Sequence, residues 1–101
     1  MRRTLDMTLA QIVESRKDEI LEIARQNGAT NVRLFGSVAR GDDDGSDIDI
    51  LCELQDGRSL LDLARLKRQL GAVLNREVDV VTERGLRSRI KETVLREARP
   101  I

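Results

Sequence analysis

Asp47-Ile48-Asp49-Ile50-Leu51-Cys52-Glu53-Leu54 alternates with a period of two. Successive side chains of a strand point to opposite faces. Ile48, Ile50, Cys52 and Leu54 therefore share one face, and Asp47, Asp49, Leu51 and Glu53 share the other. The first face belongs to a core. The second carries two carboxylates two residues apart, roughly 7 Å from each other along the backbone at about 3.3 Å rise per residue.

Upstream, Val32-Arg33-Leu34-Phe35 reads as a short strand that ends at Gly36-Ser37, followed by an Asp-rich loop from Gly41 to Ser46. That connection is too short for an ordinary parallel crossover. The first 27 residues read as helix, with Leu9, Ile12 and Val13 on one apolar stripe and Ile20, Ile23 and Ala24 on another. Arg16-Lys17 interrupts them, Ser15 is placed to cap a second start, and Asn27-Gly28 is a stop. One helix or two fits equally.

Downstream, Asp56-Gly57 marks a turn. Ser59 with Asp62 three residues on has the pattern of a capping box. Leu63, Leu66, Leu70, Val73 and Leu74 then recur at helical spacing. Gly71 inside that helix costs about 1 kcal/mol relative to Ala, which close packing against the sheet would explain. Glu77–Val81 is a third strand, and Ile90, Val94 and Ala98 mark a last amphipathic helix stopped before Pro100. The helix between the second and third strands is long enough for a right-handed parallel crossover. The expected fold is α/β (α+β): a small mixed sheet of three to four strands, helices on its apolar face and aspartates on the other, all in one domain over residues 1–101.

Composition bounds the function. The 101 residues carry 18 basic and 18 acidic side chains and no His. Zero net charge without a basic run gives no general grip on nucleic acid. A single aromatic, Phe35, leaves almost no base-stacking surface. The core is aliphatic. The one cysteine, Cys52, excludes an internal disulfide and sits in an apolar run, as a buried structural thiol does. No apolar stretch approaches a membrane span and no leader pattern opens the chain, so a cytoplasmic protein is expected.

The carboxylates carry the chemistry. Asp47 and Asp49 on one face repel, so that one takes a proton or cations sit between them. Hard divalent ions prefer such oxygen ligands. Asp79, in Val78-Asp79-Val80-Val81, reaches the same face if its strand lies parallel beside Asp49. Three carboxylates on one face suit two metal ions about 3.5–4 Å apart. Each motif alone has an ordinary reading. Asp-x-Asp can be a polar strand face, Asp79 an edge-strand solubility residue, Gly36-Ser37 a plain turn. Gly36 permits close backbone approach to a phosphate, Ser37 offers a hydroxyl and an N–H, and Arg40 can pair with an anion. No Gly-Lys pair exists, which excludes a P-loop. An EF-hand with Gly45 sixth would need ligands at Arg40 and Leu51. Asp42, Asp43 and Asp44 therefore read as a solvated loop at the site mouth.

Gly36-Ser37-Val38-Ala39-Arg40-Gly41 followed by Ser46-Asp47-Ile48-Asp49 resembles the signature of the polymerase-beta-like nucleotidyltransferase superfamily. With Asp79 it most resembles the minimal nucleotidyltransferases, the MNT antitoxins paired with HEPN-domain RNase toxins. The resemblance runs from about Val32 to Val81. It implies that Gly36 and Ser37 hold the β- and γ-phosphates of ATP, with Arg40 assisting. It implies that Asp47, Asp49 and Asp79 bind two Mg²⁺ ions, Asp79 also helping to deprotonate the attacking hydroxyl. It implies AMP transfer to a tyrosine of the HEPN toxin, in a hetero-oligomer with the toxin or a homo-oligomer; from composition, neither membrane nor direct nucleic-acid binding is expected. This chain has no Tyr, so it cannot modify itself on tyrosine, which suits an acceptor brought by a partner. Two alternatives follow from the same resemblance: an aminoglycoside-type small-molecule nucleotidyltransferase, and an antitoxin that acts by masking alone.

Overall fold

A computed structural model describes residues 8–41 and 47–101. The element order is α1 (Leu9–Ser15), α2 (Lys17–Gln26), β1 (Ala29–Phe35), α3 (Gly36–Ala39), β2 (Ile48–Leu54), α4 (Leu60–Leu74), β3 (Val78–Thr82), a 3₁₀ turn (Glu83–Gly85), α5 (Ser88–Glu97) and β4 (Arg99–Pro100). The four strands lie in the order β3-β2-β1-β4. β1 runs antiparallel to β2 and β4, while β2 and β3 are parallel and joined through α4. The mixed sheet expected from the alternation and the connection lengths is thus present.

The amino-terminal segment is two helices, broken at Arg16. Thr8 caps α1 in a reciprocal box with Gln11. Ser15 does not cap α2: its hydroxyl donates back to the Ile12 carbonyl at 2.7 Å, and the N-cap of α2 is Arg16, without a side-chain bond. Ser59 and Asp62 do form their box, with the Leu61 N–H donating to Ser59 Oγ at 3.2 Å and the Ser59 N–H to Asp62 Oδ2 at 2.9 Å. An N-cap of this kind is typically worth about 1 kcal/mol.

Ile48, Ile50 and Cys52 of β2 are fully buried in the core, with Leu9, Val13, Ile20 and Ala24 of α1 and α2 and Leu66, Leu70 and Leu74 of α4. The helical stripes and the alternating strand face are therefore two sides of one aliphatic core. Gly71 has a different reason from the one expected. A Cβ there would lie 3.2 Å from the Arg76 carbonyl, in the turn that ends α4 at left-handed Asn75, rather than against the sheet.

The second sheet face is not uniformly polar. Leu51 is also fully buried, in a cross-strand row with Arg33 and Val81. Arg33 of β1 donates to Glu83 Oε2 at 2.6 Å, just beyond β3, and lies 3.7 Å from Glu53. Because β2 lies between β1 and β3, this ion pair spans β2 at Leu51. The pair shields the leucine, leaving the aspartates at the other end of the face.

The carboxyl-terminal helix ends earlier than its apolar pattern suggested. Arg99–Pro100 forms a short edge strand on β1, with the Ile101 N–H donating to the Val32 carbonyl at 3.1 Å. Proline lacks an N–H and is tolerated on an edge. α5 buries no residue fully, and Ile90 remains 49% exposed. No helix among the described residues is long and apolar enough to cross a membrane.

Candidate active site

Parallel pairing sets Asp49 directly against Asp79, with Phe35 opposite Asp49 on the antiparallel side. Neighbouring strands lie about 4.8 Å apart, so the two carboxylates rise from adjacent positions of one face. The third, Asp47, stands exposed immediately before β2. Asp49 is half-buried. Burial, then the negative charges of Asp79 and Asp47, push its carboxyl above the ordinary carboxylate range, while Arg40 pulls the other way. Like charges gathered where water is partly excluded favour a proton or a cation.

Among the described residues, no three His, Cys, Asp or Glu side chains already gather around one point. The arrangement is instead a pair in register, Asp49 and Asp79, with Asp47 close enough for its charge to act on Asp49. The donor set is entirely carboxylate oxygen. It fits magnesium and lacks the imidazole or thiolate that zinc favours.

Gly36 opens α3 with φ +78, in the left-handed region, and a Cβ built on it would land on the Asp49 carboxylate. Glycine is thus required twice, for the turn and for the space that the carboxylate fills. Ser37 follows in the same single turn, half-buried at the carboxyl end of β1. Gly36, Ser37, Asp49 and Asp79 therefore meet at one end of the sheet. Asp42, Asp43, Asp44 and Ser46 lie outside the described residues, so the expected loop at the mouth has no structural account.

Arg40 ends α3 with its guanidinium 3.0 Å from Glu97 of α5, half exposed. Its field reaches Asp49, but its hydrogen bond goes to Glu97. Two partners were invisible to the motif reading. Glu97 is one. Lys67 of α4 is the other, its ammonium 3.5 Å from Asp79 Oδ1. Both members of that pair are about half exposed, so it contributes little to stability. Lys67 flanks the Leu63-Leu66-Leu70 stripe, whose last two members are buried, and that was the available signal that it borders the sheet. Cys52 lies on the core face, fully buried, its thiol pushed up to about 11 by burial, and takes no part.

Residues 17–101 match the family model described as nucleotidyltransferase domain. A Methanocaldococcus jannaschii protein provisionally named protein adenylyltransferase is 45% identical over 83 residues, 81% of this chain and 89% of that one. Protein adenylyltransferase MntA of Thermococcus cleftensis is 36% identical over 92 residues, 90% of this chain and 93% of that one. A solved structure provisionally described as a minimal nucleotidyltransferase superposes with a TM-score of 0.84 at 46% identity, covering 95% of this chain and 98% of that one. A toxin–antitoxin crystal structure with AMP-PNP superposes at 0.70 and 25% identity, covering 83% of this chain and 70% of that one.

Proposed function

This chain belongs to the nucleotidyltransferase family, and from that premise we propose that it is a magnesium-dependent antitoxin that transfers AMP from ATP to a tyrosine of a HEPN-domain toxin. The observation that carries the reading is the contact set Gly36–Asp49–Asp79. Gly36, without a side chain, is pressed against one carboxylate, which stands in register with a second on a parallel strand. The antitoxin part is supported by the likeness to a named protein adenylyltransferase and to a toxin–antitoxin structure containing an ATP analogue.

Each residue then has a task. The Gly36 and Ser37 backbone and the Ser37 hydroxyl bind the β- and γ-phosphates at the start of α3. Asp47, Asp49 and Asp79 would hold the magnesium ions. Magnesium, when bound there, supplies positive charge that offsets the triphosphate and favours in-line displacement. Asp79 accepts the proton of the attacking hydroxyl. The hydroxyl oxygen forms a bond to the α-phosphorus, the bond from that phosphorus to its bridging oxygen breaks, and pyrophosphate leaves. Arg40, held by Glu97, keeps a positive charge near Asp49 and is within the reach of α3 for a phosphate contact.

The test is to incubate the purified protein with ATP, Mg²⁺ and the HEPN protein encoded next to it, then weigh the intact partner. The expected result is a mass increase of one or more AMP groups, lost in Asp47→Ala/Asp49→Ala. Full inhibition of the toxin by that double variant, with no mass change in either case, would leave masking as the mechanism.

A further inference from the structure

A groove of about 440 Å³ runs between α4 and the start of β3, with Lys67, Arg68, Gly71, Arg76, Glu77 and Val78 in its walls. It borders the start of β3, the edge strand of the sheet, where the residue after Val78 is Asp79. Three of its side chains are cationic and one is acidic. Lys67 is engaged by Asp79. Arg68 and Arg76 have no ion-pair partner among the described residues. Gly71 lacks a side chain where Arg76 folds back over the end of α4, so the groove floor there is backbone.

Position across the sheet assigns its use. Gly36 at the end of β1 contacts Asp49 on β2, Asp49 faces Asp79 on β3, and the groove lies between α4 and the start of β3. β1 and β3 are two strand spacings apart, about 10 Å. In-line displacement puts the attacking and leaving oxygens on opposite sides of the α-phosphorus. With pyrophosphate leaving on the Gly36–Ser37 side, the attacking hydroxyl enters from the β3 side, which this groove borders.

We propose that this cationic groove receives an acidic segment of the acceptor protein and so delivers its hydroxyl to Asp79. The inference rests on the proposed transfer of AMP to a partner protein. Arg68 and Arg76 act on the acceptor and not on ATP, because the phosphate turn is at the other side of the site. Opposed charges at such a rim steer encounter and set register, and both effects weaken with salt.

The experiment compares wild type with Arg68→Glu/Arg76→Glu, which leaves Lys67 and the aspartates intact. The expected result is a loss of kcat/KM for the HEPN partner of about tenfold at low ionic strength, carried mainly by KM. Affinity for a fluorescent ATP analogue should be unchanged. Raising salt should lower kcat/KM for wild type far more than for the variant. Reversing acidic residues around the acceptor hydroxyl to Lys should restore modification by the variant. Transfer by both proteins with equal kcat/KM overturns the groove and leaves the function standing. Weakened binding of the ATP analogue places the groove in the nucleotide site and overturns it as well. Absence of transfer by wild type overturns groove and function together.

Discussion

Gly36→Ala separates two demands that the site places on one residue. Gly36 sits at φ +78, and its Cβ would land on the Asp49 carboxylate. Gly57 provides the control, at φ +90 with nothing within 4 Å of a built Cβ. A non-glycine residue in left-handed backbone costs about 1–2 kcal/mol. For a domain of this size that is roughly 5–15 °C in Tm. Gly57→Ala should show that loss alone, with wild-type kcat. Gly36→Ala should show at least the same loss and a further effect, because the Asp49 carboxylate must move away from its place opposite Asp79. A displacement of about 1 Å at a reacting centre costs on the order of 100-fold in rate. The assays are thermal unfolding by circular dichroism and AMP-transfer kinetics on the three proteins. If Gly36→Ala melts with Gly57→Ala and turns over like wild type, then Gly36 serves only the turn, and the contact with Asp49 has no role in catalysis.

Burial and the charges of Asp79 and Asp47 raise the Asp49 carboxyl, so its contribution to stability is full below the ordinary carboxylate range and lost as pH rises through the raised value. In metal-free buffer Asp49→Asn should therefore melt higher than wild type near neutrality, with the gap closing toward acid pH, and in a separate assay with Mg²⁺ it should abolish transfer; a lower neutral melting point contradicts this. Arg33→Ala removes the ion pair that spans Leu51 and leaves Glu83 without its guanidinium, for a loss of about 1–3 kcal/mol in urea unfolding, and unchanged stability would show that the pair does not hold that face. Cys52, with its thiol near 11, should resist alkylation of the native protein at about pH 8 and react only after denaturant is added; rapid labelling in native buffer would show that the core opens there.

Most of the fold was legible because its elements are amphipathic in a simple way. Ile48, Ile50 and Cys52 alternate with carboxylates, and Leu66, Leu70 and Leu74 recur at helical spacing, so one core follows from two periodicities. Features set by contacts distant in sequence were not legible. Leu51 was assigned to a polar face, but it is buried in a row between Arg33 and Val81, and Arg33 pairs with Glu83, 50 residues away. Arg99–Pro100 is too short to show alternation, and its strand exists because β1 offers an edge. Parallel pairing of the Asp49 and Asp79 strands was readable as a possibility. Which residue faces which was not, since a slip of one would send Asp79 to the core face. Gly36 was read for its approach to a phosphate, whereas the structure adds its approach to Asp49, across a loop that no local pattern bridges. Lys67 and Glu97, which hold Asp79 and Arg40, lie on helices whose relative placement only the folded sheet defines.

The central claim is that these aspartates move a nucleotidyl group to a protein hydroxyl. The most direct measurement uses ATP labelled at either the α- or the γ-phosphate, with Mg²⁺ and the HEPN partner. The account predicts that label from the α position becomes covalently attached to the partner, that label from the γ position leaves in pyrophosphate, and that Asp79→Asn abolishes both. Covalent transfer of the γ label, or α-label transfer undiminished in Asp79→Asn, would contradict it.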